Sequence, residues 1–212
     1  MTDQAHETVL RRYAAYAPTY DRQWAAYTQA TLRHAAEAIR LNGAAQMIDV
    51  ACGTGALAEM LIREHPGLRI TGVDMSKDML EVARRRIPPG TVSGVRWLEG
   101  SAEKLPVESN QFDVLTCTNA FHLVPDETAA LREFHRVLKP KAALVIVDWC
   151  MDFLSMKLLA MLLPLRDRHE RHIRTLDELA ALIEQAGFMI ATRQRFRGPK
   201  LWGMMSITAR KP

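Results

Sequence analysis

The sequence predicts an α/β domain: a doubly wound, mostly parallel sheet of seven strands, with helices ahead of the first strand and an antiparallel hairpin at the carboxyl end. Three observations carry this. Short apolar runs alternate with helical patterns between residues 46 and 149, and strands joined by helical crossovers run parallel. Two later apolar runs are joined by the turn Arg197-Gly198-Pro199, a link short enough to force them antiparallel. The first strand also runs directly into a glycine-bearing turn, Ala51-Cys52-Gly53-Thr54-Gly55, ahead of a helix starting near Ala56. Backbone N–H groups at such a helix start suit a nucleotide-type ligand.

The elements follow in order. Helical patterns cover 6–16 and 22–40, broken by Pro18 and stopped near Asn42-Gly43, a C-terminal signal. Strand one is 46–50, and its helix, about 56–65, stops at Pro66-Gly67. Strand two runs from Leu68 to Val73 and closes on Asp74; Ser76 caps a helix over 77–87 that stops at Pro88-Pro89-Gly90. Strands three and four are Val95 to Glu99 and Phe112 to Thr118. Asp126 caps a helix with Leu131, Phe134, Val137 and Leu138 on one face, ending at Lys139-Pro140, and strand five is Ala143 to Trp149. One or two helices occupy 152–172, a capping box at Thr175-Leu176-Asp177-Glu178 starts a helix ending at Ala186-Gly187, and 188–196 and 201–209 form the hairpin.

Composition narrows the class. A chain of 212 residues with 48% hydrophobic and 25% charged residues suits one globular domain with a single core. Four parts are expected within it: an N-terminal helical part (1–44), a ligand-binding core (45–150), a helical insertion (151–174) and a closing helix and hairpin (175–212). The net charge of +4 is mild and scattered, unlike the basic stripe a nucleic acid selects. Cys52, Cys117 and Cys150 are far apart, which gives no disulfide framework and no metal site and suits a reducing compartment. The polar start Met1-Thr2-Asp3-Gln4 shows no signal peptide, and the run Phe153 to Leu165 is broken by Ser155, Lys157 and Pro164, so no membrane span and a cytoplasmic location are expected.

The loop admits two nucleotide readings. Gly53-Thr54-Gly55-Ala56-Leu57-Ala58 fits the dinucleotide pattern Gly-x-Gly-x-x-Ala, with Asp74 where a ribose-binding acid belongs. A nicotinamide-dependent oxidoreductase satisfies it. Asp49 argues otherwise. A carboxylate ending strand one repels a pyrophosphate, by several kcal/mol in order of magnitude in a partly dry site, and favours a cationic group. S-Adenosylmethionine lacks phosphate and carries an ammonium and a sulfonium. Asp49 would meet the ammonium, and Asp74 would accept both ribose hydroxyls. The plainer reading leaves Asp49 as a cap on the turn.

At these residues the chain resembles the class I S-adenosylmethionine-dependent methyltransferases of small-molecule type, with their Rossmann-like sheet. Asp49-Val50-Ala51-Cys52-Gly53-Thr54-Gly55 is similar to their first motif, with Ala51 where a glycine is more usual; Val73-Asp74-Met75-Ser76 is similar to the second. Gly100-Ser101-Ala102-Glu103-Lys104-Leu105-Pro106 resembles the adenine-binding stretch, with Ser101 where an aspartate is more frequent; Phe112-Asp113-Val114 through His122 and Leu131 through Pro140 resemble the fourth and fifth. The resemblance implies S-adenosylmethionine as cofactor, held by Tyr20, Asp49, Ala51, Gly53, Gly55, Asp74, Met75, Ser101, Ala102 and Asn119. Asp113 is read as structural.

Methyl transfer requires alignment, exclusion of water and an unprotonated nucleophile. His122, after strand four, is the candidate base or substrate-orienting group; alternatively it packs beneath the N-terminal lid. Tyr13 and Tyr20 lie in Tyr13-Ala14-Ala15-Tyr16-Ala17-Pro18-Thr19-Tyr20, which resembles the lid helix of small-molecule methyltransferases. They face the ligands or pack in the core. The apolar stretch from Phe153 to Leu163 is expected to complete an acceptor pocket, with Arg168, His169 or His172 binding an anionic group. The alternative is a core helix followed by a solvated, charge-mixed one. The expected partner is a small or amphipathic acceptor, lipid- or quinone-like in one reading and met at a membrane surface, with no nucleic acid.

Overall fold

The structure, a computed structural model, describes residues 10, 13–14, 16–17, 19–39, 45–88, 94–162 and 172–212. Its elements in chain order are α1 (Tyr20–Ala38), β1 (Gln46–Val50), α2 (Ala56–Glu64), β2 (Arg69–Asp74), α3 (Lys77–Arg86), β3 (Val95–Glu99), β4 (Phe112–Thr118), α4 (Glu127–Val137), β5 (Leu138–Trp149), α5 (Leu154–Leu162), α6 (Leu176–Gln185), β6 (Met189–Arg197) and β7 (Gly203–Arg210). The strands form one seven-stranded sheet in the order β3-β2-β1-β4-β5-β7-β6. β1 to β5 are parallel, while β7 runs antiparallel to both β5 and β6. This is the mixed, Rossmann-like sheet that the alternating pattern and the short final turn require.

Alternation along each strand sends successive side chains to opposite faces. Ile48, Val50, Leu115 and Ile146 pack against Leu131 and Phe134 of α4 and Leu179 and Ile183 of α6. Met47, Val145 and Val147 point the other way, against Leu32 and Ala35 of α1 and Leu57 and Leu61 of α2. Sheet strands buried on both faces read as continuous apolar runs, which is why β5 is so hydrophobic in sequence.

The caps form as the sequence requires. Ser76 Oγ accepts the Met79 N–H at 3.3 Å, Asp126 accepts that of Ala129 at 2.9 Å, and Thr175 and Glu178 cap each other reciprocally. Each cap satisfies a donor that would otherwise be left open in the first turn. Asp113 accepts the Gln46 N–H at 2.8 Å and pairs with Lys139 Nζ at 2.7 Å, a structural role at the foot of the sheet.

Several boundaries differ from expectation by one or two residues, and that of β5 by more. α1 begins at Tyr20 rather than 22. β5 begins at Leu138 rather than 143, because Leu138 already pairs with Phe112 across an irregularity in the ladder. Lys141, at φ 65°, absorbs that irregularity. The expected helix stop at Asn42-Gly43 and the segment 163–171, with Arg168 and His169, lie outside the described residues.

Candidate active site

The chain leaves β1 for β2 and β3 on one side, and returns to β4 and β5 on the other. At such a reversal, the helices above the carboxyl ends of neighbouring strands part and leave a crevice. A cavity opens there, in the place where small-molecule ligands bind in such sheets. It is walled by the loop after β1, by Asp74 to Ser76, by Gly100 to Glu103, by Thr118 to Ala120 and by N-terminal Leu10, Tyr13, Tyr20 and Asp21. All the residues expected at the cofactor line this cavity except Gly55.

The loop after β1 turns by using left-handed backbone at Ala51 (φ 55°) and Gly53 (φ 54°). Gly55 is left-handed too (φ 74°) and meets a second constraint. A Cβ there would lie 2.7 Å from Cη2 of Trp97, and one at Gly72 would lie 2.3 Å from the same indole. Gly55 is therefore glycine both for its backbone conformation and because Trp97 packs directly beneath the loop.

Two carboxylates face the cavity from the strand ends. Asp74 is buried; one of its oxygens accepts the Gly53 N–H at 2.8 Å and the other that of Ser76 at 2.8 Å. Burial raises its pKa, against the pull of the N–H groups of Ser76, Gly53 and Met75. A carboxylate offers about four acceptor positions, so each oxygen keeps one for a pair of neighbouring hydroxyls. Asp49 is buried too and accepts from Thr116 Oγ1 at 2.6 Å. Burial lifts its pKa from 3.8 to about 7, Thr116 opposes the rise, and Asp74 adds to it. Two buried carboxyl groups on one cavity suit a ligand with hydroxyls and a positive charge, and oppose a pyrophosphate. The residues present thus fit S-adenosylmethionine.

The N-terminal helix closes the cavity through two clamps that the sequence did not disclose. In the first, Arg86 of α3 pairs with Asp21 and with Glu59 (2.6 Å) and donates from Nε to the carbonyl of Thr54 at 2.8 Å. Thr54 Oγ1 donates to Asp21 at 2.8 Å, so α1 is tied to the glycine loop. In the second, Trp149 Nε1 donates to Tyr27 Oη (2.7 Å), Tyr27 Oη donates to Asn119 Oδ1 (2.8 Å) and Asn119 Nδ2 donates to Thr31 Oγ1 (2.8 Å). This chain of donors fixes the side chain of Asn119, whose φ of 59° is left-handed backbone that asparagine tolerates better than most side chains. Burial pushes the Tyr27 phenol well above its ordinary pKa, so it stays a donor. Tyr20 lines the cavity with its ring centroid 6.1 Å from that of Tyr13, and burial raises its pKa as well.

His122 does not line this cavity. It is buried, with Nδ1 2.6 Å from Asp148 Oδ1, its N–H donating to Asp148 Oδ2 at 2.8 Å, and its ring stacked on Trp149 at 4.3 Å. The expected roles as base and as substrate ligand give way to the alternative, a histidine packed and hydrogen-bonded beneath the surface. The 3-10 turn over Phe121–Leu123 points it inward and leaves Leu123 and Val124 on the cavity wall. His172, the third candidate anion ligand, instead lies 3.3 Å from Glu127, which Arg174 also holds. The apolar helix α5 is not part of the cavity either. All three cysteines are buried, with thiol pKa values raised by burial, as packing residues have. Among the described residues no group of histidine, cysteine and acidic side chains could hold a metal.

Comparison with known proteins agrees with this geometry. Residues 48–146 match the model of a methyltransferase domain. The demethylmenaquinone methyltransferase of Lactiplantibacillus plantarum is 32% identical over 92% of this chain and 94% of its own length. That of Listeria welshimeri is 31% identical over 70% of this chain, a match spanning just under two thirds (65%) of the relative. Among solved structures, an S-adenosylmethionine-dependent methyltransferase from Thermotoga maritima superposes with a TM-score of 0.75 at 22% identity, over 96% of this chain and 99% of its own. One from Aquifex aeolicus gives 0.68 at 19%, over 85% and 89%. At those identities the structures speak for the fold; the near-full-length relative carries the family. The chain belongs to the S-adenosylmethionine-dependent methyltransferases.

Proposed function

We propose that this protein transfers a methyl group from S-adenosylmethionine to an amphipathic acceptor, a quinol-type ring with an apolar tail. The observation that carries the reading is the division of the cavity: Asp49 and Asp74 at its floor, and Leu10, Leu123, Val124 and Pro125 on its walls. The names of the relatives point to a quinone-derived acceptor, and an apolar wall suits one.

Bound S-adenosylmethionine supplies a methyl carbon already activated by a sulfonium. The residues of the chain then have three tasks. Asp74 holds the ribose through the acceptor positions its two N–H bonds leave open. Asp49 meets the ammonium, and Met75, Ser101 and Ala102 border the adenine. Tyr20, next to Asp21 in the Arg86 clamp, and Tyr13 against its ring exclude water and offer aromatic faces to the cation. Asn119, locked by Tyr27 and Thr31, sets the wall between the donor and the acceptor side. Positioning of this kind supplies most of what an activated methyl group needs.

The reading is tested by incubating the protein with S-adenosylmethionine and a short-tailed, reduced demethylmenaquinone, with methylated quinol and S-adenosylhomocysteine followed by mass spectrometry. Both products are expected together. Calorimetric binding of NAD with none of S-adenosylhomocysteine would overturn the cofactor; cofactor binding without quinol methylation would overturn the acceptor.

A further inference from the structure

Helix α5 is apolar apart from Ser155 and Lys157. Met156 is buried in the core, yet Leu154 is 71% exposed, Leu158 52% and Met161 69%. Spaced at i, i+4 and i+7, these three share one outward face. An apolar stripe facing water marks a surface that something covers.

A second observation extends the patch. The tip between β6 and β7 carries Leu201, 63% exposed and at φ 63°. A branched leucine in left-handed backbone is strained, and here the strain presents an apolar side chain to solvent. Ser155 Oγ donates to the Leu201 carbonyl at 2.8 Å, which fastens this tip to the start of α5.

The surroundings indicate what covers the patch. Lys157 is exposed on α5 itself, and the guanidinium of Arg197 lies 5.3 Å over the ring of Phe153, at the foot of the helix. Arg195, on the same face of β6, is already paired with Asp152 at 3.4 Å, which leaves Lys157 and Arg197, among the described residues, as the cations beside the stripe. An apolar stripe edged by cations matches the interface of an anionic bilayer, where apolar side chains enter the acyl boundary and Lys and Arg meet the head groups. No helix among the described residues is long and apolar enough to cross a membrane, so the contact would lie along the surface.

The patch also sits where an acceptor would arrive. β7 begins opposite Trp149, at the carboxyl edge where the cavity opens. Trp202 in the tip lies 4.7 Å from Trp149 and 5.6 Å from Tyr27 between ring centroids, and Tyr27 bonds Asn119 on the cavity wall.

We propose that Leu154, Leu158 and Leu201, with Lys157 and Arg197, dock this protein on an anionic lipid surface from which it takes its acceptor. The choice of a bilayer rests in part on the amphipathic acceptor proposed above. The test is flotation of the full chain with vesicles of phosphatidylcholine alone and of phosphatidylcholine with phosphatidylglycerol. Binding to the anionic vesicles is expected, weakening as salt rises. The variant Leu154→Ser/Leu158→Ser/Leu201→Gly should lose about tenfold or more of that binding. Glycine accepts the left-handed turn without strain, and both serines replace exposed side chains, so the fold is kept. Lys157→Gln/Arg197→Gln should lose about fivefold per charge on anionic vesicles and little on neutral ones.

The proposal is overturned if the parent protein floats with neither vesicle, or if the leucine variant binds as well as the parent. It is also overturned if the parent is a dimer that the leucine variant splits, which would give the patch to a second copy. Methylation of a short-tailed quinol without vesicle binding would sink the docking surface and leave the proposed function; vesicle binding without methylation of any quinol would do the reverse.

Discussion

The two halves of the sheet's carboxyl edge are built differently. Over β1 and β2 the cavity is formed by contiguous backbone: Ala51 to Thr54 and Asp74 to Ser76, with carboxylates bonded to nearby N–H groups. Over β4, β5 and β7 the surface is assembled from side chains brought together from across the chain: Tyr27, Asn119, His122, Asp148, Trp149 and Trp202. On the proposed reading, the first half holds the cofactor through a few polar groups. The second half is a packed network, whose members act on stability and on the placing of Asn119. Substitutions in the first half should appear as lost affinity, and those in the second as lost stability.

Asp74→Ala should have the largest effect. It removes the proposed ribose acceptor and strands the N–H groups of Gly53 and Ser76, each bond to a charged group being worth ~1.5–3 kcal/mol. Affinity for S-adenosylhomocysteine in calorimetry should fall ~100-fold or more. A change under threefold would remove the carboxylate from the ligand site and collapse the contrast between the halves.

His122→Ala should be next, with the opposite signature. It leaves the buried carboxylate of Asp148 without its ring partner and opens space beside Trp149, so a melting temperature ~5–10 °C lower is expected. Cofactor affinity and turnover per folded molecule should hold. Turnover abolished at unchanged stability would restore His122 as a base and place chemistry in the second half.

Asp49→Asn separates binding from stability within the first half. The folded protein holds a proton on Asp49 up to about pH 7, while the unfolded chain releases it near 3.8. Between those values the native state binds more protons, so Asp49 makes stability fall as pH rises through that window. Asparagine keeps an oxygen for Thr116 and never ionises. The variant without cofactor should melt ~5 °C or more above the parent at pH 8, with little difference at pH 4, and bind cofactor more weakly. Cofactor affinity of the parent should weaken as pH falls below 7, since the ammonium requires the ionised carboxyl. Affinity flat from pH 8 to 5.5 would contradict that pairing.

Tyr27→Phe probes the second half at its centre. It unpairs Trp149 Nε1 and Asn119 Oδ1, at ~1–3 kcal/mol, or roughly 2–10 °C in melting temperature for a chain of this size. If Tyr27 acts by fixing Asn119, KM for the acceptor should rise more than the Kd of the cofactor. Equal changes in both would make it a packing residue alone.

The same contrast explains what could be read in the sequence. The first half was legible because its residues are neighbours in the chain: Asp49 through Gly55, then Asp74 at the end of the next strand. The parallel core and the hairpin were legible for the same reason, as local periodicity and turn length. The packing demand on Gly55 was hidden because Trp97, which makes it, lies far along the chain. Tyr27 escaped notice because its partners stand 92 and 122 residues away, and on α1 it looks like any core aromatic. His122 was visible as a polar residue at the right edge. What turns it inward is Asp148, in the middle of an apolar run that pattern alone reads as strand.

The smallest effect is expected at Ala51, and it tests the backbone character of the first half directly. Ala51 holds φ at 55°, where a Cβ costs ~1–2 kcal/mol. Ala51→Gly removes that strain but loosens the unfolded chain by ~0.5–1 kcal/mol. The net gain should be ~1 kcal/mol or less, a rise of ~2–4 °C, with cofactor affinity unchanged because the loop already has the required shape. A lower melting temperature would mean that Ala51 does not hold left-handed backbone in solution. The loop would then owe its shape to the Arg86 clamp and to Trp97, and the two halves of the edge would differ less than their geometry suggests.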